Sequence, residues 1–303
     1  MMSTMAAVTL CECFARDGLQ HEPDFVPTAA KRALIERFAA LGFPRIEATS
    51  YSSPKVVPQF GDASELLRSL PRREGTYYKA TCANLKAVER ALADQEAGFG
   101  VNEVSLLVSA SEAHTQKNLK CTREAQWANV ESMVRRAGGR FRLVGTVSVA
   151  FGCPFEGKVD PGVVAADVAR FLSLGVTHAA LGDTTGLATP RSVKDLLARM
   201  PKDATLIAHF HDTRGTGLVN CVAAHEAGVR CFDSSFGGVG GHPAKLRYGG
   251  GHTGNVCTED LVSLFEAMGV DTGIDLDGLI DAARFCEQVL GRELHGRVTR
   301  LVG

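Results

Sequence analysis

Two histidines separated by one residue, His209 and His211, are the first candidates for chemistry in this chain. They end an apolar run that predicts a β-strand, and residues i and i+2 of a strand point to the same face. Two neutral imidazoles on one face, joined by a carboxylate such as Asp17, would suit a divalent metal ion. An isolated H-x-H pair is more often one buried and one exposed histidine. The shared position of His209, His211 and Asp17 at strand ends favours the metal site.

The pair Arg16-Asp17 follows another apolar run and directly precedes Gly18. One interpretation is an ordinary exposed turn. The other is a metal-ligating aspartate beside a guanidinium that neutralises an oxyanion. Spacing alone leaves both open. Asp183 ends a further apolar run, and it could equally be the N-cap of a helix that follows.

A glycine-dense segment, residues 237–255, contains His242, His252 and Asn255, and eight of its 19 residues are glycine. It could simply be flexible, but a long segment of this kind at the mouth of a site is a candidate lid. A phosphate-binding P-loop is excluded, because no G-x-x-x-x-G-K-[ST] motif follows a strand here.

Eight short apolar or β-branched runs alternate with stretches of helical periodicity, and their starts lie 24 to 38 residues apart. This spacing is typical of one parallel strand plus one helix, repeated. Eight such units predict an α/β protein with a closed (β/α)₈ TIM barrel, in which chemistry lies at the carboxyl ends of the strands. The predicted strands are 8–14, 45–50, 76–82, 103–108, 141–149, 178–182, 205–211 and 229–235.

Helical periodicity fills the intervals between these strands and continues beyond the last one. We expect a single barrel domain over residues 1–303, with a C-terminal helical extension from about residue 271, because no linker or change of composition interrupts the chain. The predicted helices are 28–42, 84–97, 122–137, 161–174, 190–200, 217–227, 258–268 and 277–290.

Composition narrows the class of partners. Lys+Arg 33 against Asp+Glu 34 gives a formal net charge of −1, so nothing overall favours nucleic acid or an anionic membrane. No apolar run approaches the ~18 residues of a membrane span, and no basic residue precedes the first apolar stretch as in a signal peptide. The nine cysteines include no C-x-x-C pair. We therefore expect reduced, mostly buried thiols and a cytoplasmic protein.

Six segments, in order along the chain, resemble the 3-hydroxy-3-methylglutaryl-CoA lyase family, within the wider superfamily of barrel metallolyases and Claisen condensing enzymes. Each segment alone is a weak signal, whereas the ordered set is specific. The segments are RDGLQ at 16–20, SSPKVVPQ at 52–59, CPFEGK at 153–158, LGDT at 181–184, HFHDT at 209–213, and GN at 254–255 followed by TEDLV at 258–262.

The resemblance implies a role for each matching residue. The expected metal is Mg²⁺ or Mn²⁺, with zinc less favoured, although the ligand types alone would allow zinc. The substrate would be a small acyl-CoA thioester, and the protein a homodimer or higher homo-oligomer. The implied metal ligands are Asp17, His209, His211 and Asn255; the implied catalytic residues are Arg16 for the enolate oxygen, Asp183 and Glu47; the implied substrate-binding residues are Gln20, Ser50 and Asn84.

One departure from the family pattern falls in the glycine-dense segment. The lyases have a catalytic cysteine in Gly-Gly-Cys-Pro, whereas this chain has Gly-Gly-His-Pro, so that His242 takes the place of the cysteine. The segment is also about four residues longer than the family pattern. We expect an intact metal centre under a rebuilt lid, with His242 as a catalytic proton donor. The alternatives are that His242 only shapes the pocket for a different acyl group, or that Tyr248 or His252 is the acid.

The predicted function is divalent-metal-dependent carbon–carbon cleavage of 3-hydroxy-3-methylglutaryl-CoA, or of a related 3-hydroxyacyl-CoA, by retro-aldol (reverse Claisen) chemistry. One alternative is an acetyl-CoA condensing enzyme or an aldolase on the same scaffold, disfavoured because the regulatory region common in such synthases is missing. Another is a non-catalytic paralogue that only binds metal and ligand. The full set of metal ligands beside Arg16 argues against it.

Overall fold

The computed structural model describes residues 7–241 and 254–301. Within them, eight parallel strands close into a barrel in sequence order, each strand pairing with the next and the first with the last. The predicted (β/α)₈ barrel is confirmed. The strands are β1 (Thr9–Glu12), β2 (Arg45–Ser50), β3 (Tyr77–Cys82), β4 (Glu103–Ser109), β5 (Arg142–Ser148), β6 (His178–Gly182), β7 (Thr205–His209) and β8 (Cys231–Ser234).

Ten α-helices lie in the described part of the chain, and most follow the amphipathic stretches predicted from sequence. Two short helices, α2 (Ala63–Ser69) and α4 (Glu112–Leu119), were not predicted, because each spans only about two turns and shows little apolar periodicity. The helices are α1 (Thr28–Ala40), α2 (Ala63–Ser69), α3 (Leu85–Glu96), α4 (Glu112–Leu119), α5 (Arg123–Ala137), α6 (Pro161–Ser173), α7 (Pro190–Leu197), α8 (Gly217–Glu226), α9 (Thr258–Ala267) and α10 (Leu276–Leu290).

Two strands end two residues earlier than their apolar runs suggested. β1 ends at Glu12, and a π-helical turn, Phe14–Gly18, then takes over the chain. β7 ends at His209 instead of His211. In both cases the backbone stops pairing with the neighbouring strands just before or at the candidate site residues.

The apolar core lies mainly between the barrel and its helices. Inside the barrel the buried apolar cluster is small and consists of Val144, Ala180 and Ile207, with Cys231 against it. Residues two positions further along β7 and β8 share this inward face and are polar: His209 and Asp233. The interior therefore changes from apolar to charged toward the carboxyl ends of the strands.

All nine cysteines lie in the described residues and are free thiols, as expected from their spacing. Every helix in the described residues is too short or too polar to span a bilayer.

Candidate active site and metal centre

Three predicted metal ligands converge at the carboxyl end of the barrel. One ligand atom each from Asp17, His209 and His211 lies within 4.8 Å of the others. Nε2 of His211 is 3.3 Å from Nε2 of His209 and 3.9 Å from Oδ2 of Asp17. Asp17 and His211 are buried, and His209 is partly exposed. The two rings therefore point their Nε2 atoms at one place beside a carboxylate.

Asn255 reaches the same place from a distant part of the chain. It forms an isolated antiparallel bridge with His211, held by backbone hydrogen bonds from Asp212 to Gly254 and from Val256 to Phe210. Its Nδ2 donates to Oδ2 of Asp17 at 2.7 Å and to the carbonyl of Val239 at 3.0 Å.

The remaining amide oxygen of Asn255, Oδ1, is buried without a hydrogen-bond partner among the described residues. A buried polar atom left without a partner is costly. A cation bound by this amide oxygen would satisfy it. Carboxylate, imidazole and amide donors together form a mixed oxygen and nitrogen set that suits a divalent metal ion, so the residues present fit the metal that the sequence pattern implied.

The π-helical turn after β1 positions Arg16 and Asp17. The carbonyl of Cys13 accepts hydrogen bonds from the backbone N–H groups of Arg16, Asp17 and Gly18. This tight turn directs Asp17 into the barrel mouth, where it is buried. The alternative of an ordinary exposed turn is therefore wrong.

The guanidinium of Arg16 lies between two carboxylates. Nη1 is 2.6 Å from Oδ1 of Asp17, and Nη2 is 2.7 Å from Oε2 of Glu47. Nη1 also donates to Gln20 at 3.4 Å, whereas Nε is buried without a partner in the described residues. Arg16 is thus held firmly and still has a donor to offer.

The carboxylates on either side of Arg16 stay ionised. Burial raises the pKa of Asp17, but the charges of Arg16, His209 and His211 outweigh it and hold this pKa well below its usual value. Burial likewise raises the pKa of Glu47, and the cations Arg16 and Lys79 reverse that effect. Glu47 is fully buried and also accepts from Thr81 at 2.6 Å. Its contacts support a role in fixing Arg16.

Asp183 follows β6 directly and has a different environment. Its carboxylate accepts from the backbone N–H groups of Leu187 and Ala188 at 2.7 and 3.1 Å. It does not cap a helix, because α7 is capped by Thr189. Burial raises the pKa of Asp183 to about 6, against the lowering effect of those hydrogen bonds. A carboxylate with this pKa can exchange a proton near neutral pH.

The predicted substrate-binding residues are placed unequally. Gln20 contacts Arg16 and, through its Nε2, the ring of His21 at 3.0 Å. Ser50 is buried at the end of β2, where its hydroxyl donates to the carbonyl of Thr81. Asn84 is exposed and caps α3 by accepting from the backbone N–H of Ala87. Only Gln20 is linked to the metal ligands by a short path, through Arg16.

Sequence reasoning missed the charged residues beneath the site. Asp233 of β8 pairs in register with His209 of β7, and Lys79 of β3 pairs in register with Glu47 of β2. Lys79 lies 3.5 Å from Glu47 and 3.6 Å from Asp233. One sequence signal could have revealed them. Each is a charged residue inside an otherwise apolar strand, and it shares the inward face with the residue two positions away.

His242, together with Tyr248 and His252, lies outside the described residues, so its predicted role as proton donor stays a prediction. The described residues that flank His242, Tyr248 and His252 contact each other. The N–H of Gly254 donates to the carbonyl of Gly238 at 3.1 Å, and the backbone of Gly240 leaves no room for a Cβ on Gly254.

The whole chain compares closely with known proteins. Residues 7–286 match the model of the HMGL-like family. The chain belongs to this family. It is 38% identical over 297 residues to mitochondrial hydroxymethylglutaryl-CoA lyase of Homo sapiens, covering 97% of this chain and 89% of that protein. It is 37% identical to (R)-citramalyl-CoA lyase of Chloroflexus aurantiacus, over 96% of this chain and 93% of that one.

The solved structures agree with the fold described above. An HMG-CoA lyase from Acinetobacter baumannii, in complex with coenzyme A and 3-methylmalate, superposes with a TM-score of 0.91 at 38% identity, covering 99% of this chain and 97% of that one. An HMG-CoA lyase from Pseudomonas aeruginosa superposes with a TM-score of 0.90 at 34% identity, covering 97% of both chains.

Proposed function

We propose that this protein is a carbon–carbon lyase that cleaves a 3-hydroxyacyl-CoA thioester with the help of a divalent cation. The observation that carries the proposal is the convergence of Asp17, His209 and His211 on one place, with Asn255, whose amide oxygen has no partner among the described residues, hydrogen-bonded to Asp17. Arg16, next to this place, supplies the positive charge that an enolate oxygen needs. Membership of the HMGL-like family supports the reaction class.

Asp17, His209, His211 and Asn255 would hold the metal, for which we propose Mg²⁺ or Mn²⁺, since two oxygen-donor residues accompany the two imidazoles in this set. When bound, the cation would supply Lewis-acid polarisation of the substrate hydroxyl.

The chain's own residues account for the movement of protons and charge. Asp183 takes the proton of the tertiary hydroxyl, and its raised pKa suits this transfer. The C2–C3 bond then breaks, the new carbonyl forms at C3, and the electron pair passes into the thioester, whose oxygen Arg16 stabilises. A donor returns a proton to C2. The products are an acyl-CoA and a keto acid.

For the proton donor we propose His242, in the place of the family's loop cysteine. A histidine with an ordinary pKa near ~6.5 is partly protonated at neutral pH, which suits a general acid. Its neighbour Gly241, a described residue, lies against His21 at the mouth of the site, and His21 contacts Gln20.

The proposed acyl group is 3-hydroxy-3-methylglutaryl or a close relative. Both curated relatives quoted above are named for thioesters with a tertiary hydroxyl at C3, and coenzyme A is bound in the Acinetobacter baumannii structure. We also propose a homo-oligomer, testable by light scattering, and a cytoplasmic location, which the free thiols support.

The deciding experiment incubates the protein with 3-hydroxy-3-methylglutaryl-CoA, citramalyl-CoA and longer 3-alkyl homologues, each with Mg²⁺, Mn²⁺ or a chelator, followed by mass spectrometry. We expect an acyl-CoA and a keto acid from at least one substrate, only when metal is present, and no turnover by His211→Ala. Condensation of an acyl-CoA with a keto acid and no cleavage would favour the synthase alternative. Metal binding without turnover of any thioester would favour a non-catalytic paralogue.

A further inference from the structure

Asp233 is a buried carboxylate that the reaction outlined above does not use, and it touches a proposed metal ligand. Its Oδ2 lies 3.2 Å from Nδ1 of His209, on the side of the ring opposite to Nε2. Strand register brings the two residues side by side, since Asp233 of β8 is the direct partner of His209 of β7.

The hydrogen bond decides which nitrogen of His209 carries the proton. An ionised carboxylate only accepts, so a neutral His209 must carry its proton on Nδ1 to pair with it. Asp233 lies beside two cations, Arg45 at 3.3 Å and Lys79 at 3.6 Å, and these charges favour its ionised form. Nε2 is then left with a free lone pair, facing Nε2 of His211.

Two buried cations, Arg45 and Lys79, hold Asp233 in place. Nη1 of Arg45 lies 3.3 Å from Oδ1, and Nζ of Lys79 lies 3.6 Å from Oδ2. Arg45 is held on its far side by Glu103, through Nη2 at 2.7 Å and Nε at 3.1 Å. Lys79 is held by Glu47. The carboxylate therefore has three potential donors beside it, on His209, Arg45 and Lys79.

We propose that Asp233 is a positioning residue that sets the tautomer and the ring orientation of His209, so that its Nε2 is ready to bind the divalent cation. The proposal rests on the metal centre proposed above. Asp233 is buried and would act on the metal only through His209. The buried pairs Arg45–Glu103 and Lys79–Glu47 would in turn hold Asp233 in place.

Asp233→Asn should reverse the tautomer. The amide offers one oxygen and one NH₂ group where the carboxylate had two accepting oxygens. Arg45 is fixed by its two bonds to Glu103, so the oxygen should face Arg45. The NH₂ group then faces His209, which can pair with it only by accepting at Nδ1. The proton moves to Nε2, where it blocks the lone pair that would bind metal.

The test combines a tautomer measurement with metal binding. Long-range ¹H–¹⁵N correlation spectra of the metal-free protein report which ring nitrogen of His209 is protonated, with the signals assigned by their loss in His209→Gln. Free Mn²⁺ is counted by electron paramagnetic resonance to obtain Kd. Asp167→Asn is the matched control, since Asp167 is also a buried carboxylate but pairs with Arg123 and Trp127 between the outer helices α5 and α6.

We expect a proton on Nδ1 of wild-type His209 and on Nε2 in Asp233→Asn. We also expect about a 10- to 100-fold weaker Mn²⁺ affinity in Asp233→Asn and an unchanged affinity in Asp167→Asn. A neutral wild-type His209 that carries its proton on Nε2 would overturn the proposal. This outcome is measured on the wild-type protein, so it does not depend on the folding of any variant. Equal losses of affinity in the two variants would overturn it as well. A wild-type protein that binds no Mn²⁺ would instead refute the proposed metal centre.

Discussion

Gly240 lies so close to Asn255 that the space between them cannot hold a β-carbon. A Cβ on Gly240 would overlap Nδ2 of Asn255 and come within 3.2 Å of Oδ2 of Asp17. Gly240 also has φ +147°, in a region that L residues rarely adopt. The main chain leading into the segment from His242 therefore passes directly over the amide–carboxylate pair, and only glycine permits this approach.

Gly240→Ala should weaken divalent metal binding by at least about tenfold, because the added methyl group would push Asn255 away from Asp17. Losing a contact that orients a metal ligand typically lowers metal affinity by about this factor. Gly241→Ala is the matched control: its Cβ would meet only Cδ2 of His21, at an ordinary 3.5 Å. Calorimetric titration with Mn²⁺ measures both. Equal affinities in the two variants would show that Asn255 is not needed for the metal.

Arg16→Lys should lower kcat by about 10²–10³-fold, the usual cost of losing one donor to a developing oxyanion. A compact ammonium cannot contact Asp17, Glu47 and the substrate together as the planar guanidinium does. Steady-state kinetics measure the loss, and thermal melting checks the fold. Arg170→Lys is the control and should keep full activity, because Arg170 pairs with Glu131 at 2.8 Å on the outer helices. Near-normal turnover by Arg16→Lys would remove Arg16 from the proposed mechanism.

The pH dependence of kcat/KM should show an acidic limb from Asp183. Its pKa is raised to about 6 by burial, so the carboxylate is a base above that pH and becomes protonated below it. Activity should therefore fall as the pH falls through this range, and a cation bound nearby would move the limb to lower pH.

Asp183→Asn should lose the acidic limb together with about 10²–10⁴-fold of the rate, the usual contribution of a general base. Asp167→Asn is the control. Burial also raises the pKa of Asp167, but this residue pairs with Arg123 and Trp127 between α5 and α6. A limb that persists unchanged in the residual activity of Asp183→Asn would assign the base to another group.

His242→Ala should slow release of the protonated acyl product while metal affinity stays unchanged, because His242 would act as the acid and not as a ligand. Incorporation of deuterium from D₂O into the acyl product reports the proton transfer to C2. His252→Ala, within the same segment, is the comparison variant. Wild-type turnover and pH profile in His242→Ala, with loss in His252→Ala, would move the proton donor to His252.

Much of the architecture follows from local patterns in the sequence. Apolar runs separated by amphipathic stretches predict parallel βαβ units, because each strand must be covered by a helix. Polar residues at the ends of those runs indicate the mouth of the barrel, which is why Asp17, His209 and His211 were found together. Strand lengths were less accurate, since an apolar run does not show where the backbone leaves the ladder for a turn such as Phe14–Gly18.

The sequence alone determined the barrel, the two histidines and the family. It could not show that Asn255 bonds Asp17 across 238 positions, that Asp233 orients His209, or that Lys79 lies between Glu47 and Asp233. Those contacts depend on barrel closure and strand register, which bring together residues that are far apart in sequence. They also depend on burial, which sets the pKa of each carboxylate by removing water and leaving the neighbouring charges to decide.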